Sequence, residues 1–425
     1  MKLSNWILLL FVFFISGCTG TRSLTDSTAG GSGGLPERII LNPLETGEKG
    51  VAVTWRTATD IENSHVQWKK ATPNPVNSET TFNLTPGIAR TDTVEYQETT
   101  NIFKSFRAKL TNLDPGQTYM YRIGADETGW SEWIHFNMPA GDPEDPFTFI
   151  YLGDPQNDLF SQWSRAIRKA YSAAPEASFI LYAGDLVNRG YNDLEWDEWY
   201  RAGDFIHRMI PSIVTPGNHE YSYPDITPLW KSLFTLPSNG PAGYENLDGA
   251  AYYIDYPAVR IISLDGTTSE RDDALRKVQS EWLEDVLKEN DKKWTILTLH
   301  QPFYSTSRTR DNAQIRDSFQ HLLEKYSVDI VLQGHDHAYG RGMMEVGAEQ
   351  PGNRGSMYVV SVSGPKMYEV GEEKTWIQTR KENTQLYQVI TLDGDQLFYK
   401  SFDITGERID EFILTKTTDN RVILE

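Results

Sequence analysis

Five short stretches of this chain place metal-ligating residue types directly after apolar runs. Asp154 follows residues 147–152 in Gly-Asp-Pro-Gln, and Asp185 follows residues 178–183 in Gly-Asp. Asn218 and His219 lie just beyond residues 212–215 in Gly-Asn-His-Glu. His300 closes the run 294–299, and His335 and His337 follow residues 328–333 in Gly-His-Asp-His. Each stretch alone has an ordinary explanation as a turn, a cap or a buried histidine. Together they offer carboxylate, amide and imidazole donors, a mixture that suits iron, manganese or zinc rather than calcium. The expected chemistry is that of a dinuclear metal centre assembled from distant parts of the chain.

Such residues need a scaffold that brings strand ends together. The apolar runs are rich in β-branched and aromatic residues, as buried parallel strands are. In open α/β sheets, ligands bind beyond the carboxyl ends of the strands. Gly184 lets the backbone turn sharply before Asp185. A Pro-containing linker occupies residues 141–146, and beyond it strand and helix patterns alternate. Residues 192–208 carry Trp196, Trp199, Tyr200 and Phe205 near helical spacing, a stripe expected to pack on the sheet rather than bind substrate. Residues 250–256 and 259–264 read as paired strands, and residues 272–290 as an amphipathic helix. Residues 386–392 and 396–402 flank Asp393-Gly394-Asp395, a hairpin signal, and residues 411–415 read as a last strand. Asp265 follows a strand but belongs to none of the five groups and reads as structural. Upstream, residues 36–139 show short alternating runs and turn clusters without a helical period, the pattern of a β-sandwich with Trp55 in its core.

Taken in order, Asp154, Gly-Asp185, Gly-Asn218-His219-Glu220, His300 and Gly-His335-x-His337 resemble the five blocks of the calcineurin-like metallophosphoesterases. Residues 113–124 resemble the tyrosine-corner region of fibronectin type III modules, with Tyr119 or Tyr121 as the corner ring. With that module in front, the chain is similar to two-domain purple acid phosphatases from about residue 36 onward. The resemblance implies a fibronectin III-like β-sandwich (36–140) followed by a four-layer α/β/β/α metallophosphoesterase domain (146–425), a combination of α+β and α/β classes. It implies that Asp154, Asp185 and His337 hold one metal and that Asp185, Asn218, His300 and His335 hold the other. His219 then resembles the histidine that protonates the leaving group or stabilises its charge.

Two positions depart from the family pattern. Purple acid phosphatases carry a tyrosinate ligand three residues after the bridging aspartate, where this chain has Asn188. Other family members carry a histidine two residues after the first aspartate, where this chain has Gln156. Either amide oxygen could substitute as a neutral ligand, and Gln156 is the expected one, leaving a looser first site that favours a harder metal. The segment after His300 brings histidine to the substrate in purple acid phosphatases, whereas this chain offers Arg308 and Arg310 for charge-assisted bonds to phosphate. Arg189, Arg341, Tyr221, Tyr223, Tyr304 and Tyr339 also flank the metal stretches.

The implied reaction is hydrolysis of phosphate monoesters. Two cations clamp the phosphoryl group and acidify water, which attacks phosphorus in line. The same core also serves phosphodiesters and nucleotides, and a surface binding protein with a weakened metal site is the alternative from another class. The formal charge of −19 argues against sequence-independent nucleic-acid binding. At the N-terminus, Lys2 precedes an apolar run that closes on Ile15-Ser16-Gly17-Cys18, which resembles the lipobox of bacterial lipoproteins. Residues 1–17 are thus expected to be a lipoprotein signal peptide and Cys18 the lipidated residue. Residues 18–35 are a Ser-, Thr- and Gly-rich tether. The expected location is the bacterial cell envelope, outside the cytoplasm. Cys18 is the single cysteine, so disulfides and thiolate metal sites are not available.

Overall fold

The computed structural model describes residues 35–74, 81–345, 354–417 and 422–425. The expected signal peptide, Cys18 and nearly all of the tether lie outside the described residues.

Strands of the N-terminal domain form two antiparallel sheets. Glu37–Pro43, Gly50–Thr57, Thr99–Thr111 and Ile88–Tyr96 lie side by side in one. The other is built around His65–Lys70 and Thr118–Ala125. Trp55 fills the space between them, stacked on Phe106 at 5.6 Å with its indole N–H donated to Ser64 Oγ. Asp114 N–H donates to the Tyr119 hydroxyl at 2.8 Å, so Tyr119 makes the corner. Tyr121 serves a different end: its hydroxyl donates to Arg208 O of the second domain at 2.7 Å.

Two seven-stranded sheets make up the second domain. In the first, Phe147–Leu152, Ile180–Ala183 and Ser212–Thr215 run parallel, and Leu386–Asp393 pairs antiparallel to Phe147–Leu152. In the second, Val259–Ser263, Trp294–Leu299, Ile330–Gln333 and Arg354–Val360 run parallel. A common core, including Phe149, Leu181, Ile296, Ile330 and Tyr399, lies between the sheets. Helices Ser164–Ala173 and Asp193–Gly203 cover the outer face of the first sheet, and Asp273–Lys288 and Ala313–Lys325 that of the second. The layers are therefore helix, sheet, sheet, helix. Trp196, Trp199 and Tyr200 are buried in the first helical layer, as their spacing predicts, but Phe205 is exposed, because the helix ends at Gly203 and a separate one, Phe205–Met209, begins there. The helix expected at 272–290 runs from Asp273 to Lys288, with Asp272 accepting the N–H groups of Ala274 and Leu275 as its cap. Some strands exceed expectation: Tyr339–Glu345 and Thr379–Lys381 extend the second sheet, and Val422–Leu424 pairs with Arg408–Lys416 beyond the last strand read from the sequence.

The domains share a core rather than a hinge. Ile40, Val94 and Phe103 of the sandwich belong to the cluster beneath the first helical layer. Arg38 and Arg56, both nearly buried, converge on Asp193 at the start of the helix Asp193–Gly203, with contacts of 2.7 and 2.9 Å. Asn42 Nδ2 donates to Ser212 O at 2.8 Å.

Candidate metal centre

All five stretches converge at one edge of the paired sheets, because each follows the carboxyl end of a strand. The carboxylates and ring nitrogens of Asp154, Asp185 and His337 lie within 4.8 Å of one another, and so do those of Asp185, His300 and His335. Asp185 belongs to both groups. It is buried beneath them, with Oδ2 3.0 Å from His300 Nε2 and 3.9 Å from His219 Nε2. His335 Nδ1 lies 3.0 Å from His300 Nε2, and His337 Nε2 lies 3.7 Å from Asp154 Oδ1.

Backbone geometry aims these side chains. Asp154, Asp185, His335 and His337 take left-handed φ values of 42°, 50°, 77° and 47°. That conformation costs a non-glycine residue on the order of 1–3 kcal/mol and persists where surrounding contacts impose it. A methyl group at Gly217 would collide with Asp185 Oδ1, and one at Gly334 with Asp154 Oδ2. Both glycines are therefore required by close approach.

His300, His337 and His219 are also oriented from behind. His300 Nδ1–H donates to Ala183 O at 2.8 Å and His337 Nδ1–H to Lys366 O at 3.1 Å, so both present Nε2 to the centre. His219 Nδ1–H donates to Asn188 O at 2.6 Å, and its side chain stays 28% exposed, open to a substrate. The backbone N–H of His219 donates to Asp185 Oδ1, and that of His335 to both oxygens of Asp154.

Gln156 sits inside the first group. Its Nε2 is 2.8 Å from Asp185 Oδ2 and 3.2 Å from His337 Nε2, while its Oε1 is buried without a partner. Rotating the amide by half a turn would present that oxygen to the same spot. Asn218 Oδ1, beside the second group, also lacks a protein partner. Asn188 contributes its backbone carbonyl, which accepts from His219 Nδ1–H. Orphaned oxygens and acceptors facing acceptors are what a pair of cations would satisfy, so these residues fit the expected centre.

Electrostatics of the protein groups alone show the same shortage of positive charge. Burial pushes Asp154 up to about 8, with His300 opposing and the Asp185 charge reinforcing the rise. Burial opposes ionisation of Asp185 as well, yet His300 and the other imidazoles hold it well below the usual carboxylate range. Burial disfavours the charged form of His300, but Asp185 and Asp154 overcome this and push it up to about 9. Cation binding here would displace protons.

The arginine expectations meet a different arrangement. Arg310 is engaged by Asp336 and donates to His335 O at 3.3 Å, instead of turning toward a phosphate. Arg308 is exposed on the rim. Arg189 pairs with Glu195, and Arg341 with Asp410 at 2.8 Å. The Tyr221 hydroxyl donates to Asp265, which also caps the short helix Gly266–Arg271. Tyr304 and Tyr339 pack in clusters, and the Arg271 guanidinium stacks over Tyr223.

Two carboxylates escaped the sequence reading. Glu220, fully buried, accepts the N–H groups of Asp185, Val187 and Gly217 and so ties two ligand loops together. Asp336, between two ligand histidines, accepts from Ser305 Oγ, Thr306 N–H and Thr306 Oγ1 as well as Arg310. The only signal for either was its place inside a ligand motif.

Comparison with known proteins agrees with this geometry. Residues 147–339 match the family model described as calcineurin-like phosphoesterase, and residues 36–138 that of the purple acid phosphatase N-terminal domain. The chain is 26% identical over 329 residues to an Fe(3+)-Zn(2+) purple acid phosphatase of Arabidopsis thaliana, covering 72% of this chain and 65% of that protein. It is 25% identical over 324 residues to a phosphoenolpyruvate phosphatase of Allium cepa, covering 72% of this chain and 63% of that one. The chain thus spans somewhat less than two thirds of the length of these relatives. A purple acid phosphatase from yellow lupin seeds shares the fold, with a TM-score of 0.74 at 18% identity over 91% of this chain and 75% of the other.

Proposed function

We propose, from the match of residues 147–339 to the calcineurin-like phosphoesterase family and of residues 36–138 to the purple acid phosphatase N-terminal domain, that the protein is a dinuclear-metal phosphohydrolase acting on phosphate monoesters. One observation carries this reading: the buried Asp185 carboxylate is shared by two donor groups. Asp154, Gln156 and His337 would hold one cation, Asn218, His300 and His335 the other, with Asp185 common to both. Iron, manganese and zinc suit such donors. When bound, the cation pair supplies Lewis-acid polarisation of the phosphoryl group and acidifies water.

The chain's own residues do the rest. Asp185, fixed by His219 N–H on one oxygen, keeps the two groups in register. The His219 ring, fixed by Asn188 O, leaves Nε2 facing the centre, placed to give a proton to the leaving oxygen as its bond to phosphorus breaks. Asn188 in place of a tyrosinate means that no phenolate-to-iron colour is expected. Ile15-Ser16-Gly17-Cys18 supports lipid anchoring at Cys18 in the bacterial envelope, so Cys18→Ser should release the protein into the soluble fraction.

The deciding experiment is metal analysis of the full chain combined with hydrolysis of p-nitrophenyl phosphate and of its bis-ester. Two metals per chain with faster monoester turnover is the expected result. Faster diester turnover would favour the phosphodiesterase alternative. No metal and no hydrolysis after reconstitution with iron, manganese and zinc would favour a binding protein.

A further inference from the structure

Arg310 is neutralised by Asp336, which leaves open what positive charge meets a bound phosphate. The loop following Arg354–Val360 supplies a candidate in Lys366. Its carbonyl accepts from His337 Nδ1–H at 3.1 Å, and two residues on, Tyr368 N–H donates to His337 O at 3.0 Å. The Tyr368 ring packs 4.7 Å from the His337 ring, and Lys366 Nζ lies 5.5 Å from the centre of the Tyr368 ring. Lys366 is thereby pinned through its backbone to a metal-group histidine, with a half-buried side chain.

Among the described residues its ammonium has no carboxylate partner, although the chain carries 59 acidic residues against 40 basic ones. Neighbouring cations are engaged: Arg310 by Asp336, Arg341 by Asp410, and Lys374 by the Arg310 carbonyl. A partly desolvated ammonium left unpaired beside converging acceptors is stabilised when an anion arrives.

We propose that Lys366 binds the substrate's phosphate and makes the site prefer dianionic monoesters to monoanionic diesters. This rests on the phosphohydrolase reading above. A fixed positive charge gains more from two negative charges than from one, so it discriminates by charge without taking part in bond cleavage.

The test compares full-length wild type, Lys366→Gln, Lys366→Arg and Arg308→Gln, each loaded with metal and checked for metal content. Calorimetry measures the affinity for inorganic phosphate, and kinetics give kcat and KM for p-nitrophenyl phosphate and its bis-ester. Lys366→Gln should weaken phosphate binding about tenfold and raise the monoester KM by a similar factor, with kcat and the diester KM little changed. Lys366→Arg should recover most of the loss, and Arg308→Gln should have a smaller effect. Unchanged phosphate affinity and an unchanged monoester-to-diester ratio in Lys366→Gln would overturn the proposal. So would a Lys366→Arg protein as weak as Lys366→Gln, which would mark a packing role. If the wild type hydrolyses neither ester, the phosphohydrolase reading fails, and the phosphate affinities still decide the role of Lys366.

Discussion

The metal edge and the domain junction both bury charge, and they do so in opposite ways. At the junction, Asp193 meets two guanidinium groups, Arg38 and Arg56, so the buried charges compensate one another. At the metal edge, metal-ligating groups crowd one another: Asp154 and Asp185 with His337, and Asp185 with His300 and His335. The first arrangement finds its counter-charges within the chain, with Asp197 and Glu37 joining Asp193, although Arg38 Nε has no hydrogen-bond partner. The second holds four non-glycine residues in left-handed backbone and leaves Gln156 Oε1 and Asn218 Oδ1 unpaired. Buried charge therefore marks function only where its compensation is missing from the chain itself.

The sharpest way to break this contrast is Asp185→Asn. Removing the shared carboxylate should disrupt both cation sites, lowering the metal-to-protein ratio and reducing kcat/KM by about a thousandfold. Metal analysis and steady-state kinetics on one preparation check it, and retention of two metals would break the comparison.

At the junction, Asp193→Ala leaves two buried arginines with only the longer contacts to Asp197 and Glu37, 3.7 and 3.5 Å, and should cost about 3 kcal/mol, read from urea denaturation. Metal content at low denaturant should not change. Replacing Arg38, Arg56 and Asp193 together by apolar residues of similar volume should recover much of that stability.

Gln156→His tests the weaker half of the metal edge. An imidazole in place of a neutral amide should tighten the first cation by about tenfold or more, measured by chelator competition. Unchanged affinity would mean that position 156 does not face the cation.

The smallest effect concerns His207, which is fully buried at the junction side against Trp199, with ring centres 4.1 Å apart. Burial, with Arg208 adding to it, lowers His207 to about 3, below the ordinary 6.5 of a histidine. A depressed folded value means that protonation favours the unfolded chain. Its contribution is present above pH 6.5 and is lost as pH falls from there toward 3. Between pH 6.5 and 5.5 this amounts to about 1 kcal/mol. His207→Phe should flatten that part of the stability profile, and an equally steep loss in the variant would exclude His207 as its source.

Much of the catalytic fold was legible because its signals are local. Runs such as Trp294–Leu299 and Ile330–Gln333 are mostly apolar and buried throughout because both faces of each strand are covered, by the other sheet on one side and by helices on the other. The helix Asp273–Lys288 announced itself through its amphipathic period. Val422–Leu424 did not, since three residues of edge strand carry too little pattern to register. Glu220 and Asp336 were hidden for another reason: Glu220 accepts backbone N–H groups and Asp336 accepts from a loop some thirty residues away, partners that no side-chain spacing reveals.

Residue order alone determined which donors stand after which strands, because the alternation of apolar run and polar turn is written in neighbouring positions. Only the packed structure decided that Asp185 faces both donor groups, that Tyr119 rather than Tyr121 closes the corner, and that Arg310 is spent on Asp336. Those outcomes depend on which surfaces meet across long separations, 155 residues in the case of Arg38 and Asp193. Burial periodicity says that a side chain turns inward; what it finds there is settled by the rest of the fold.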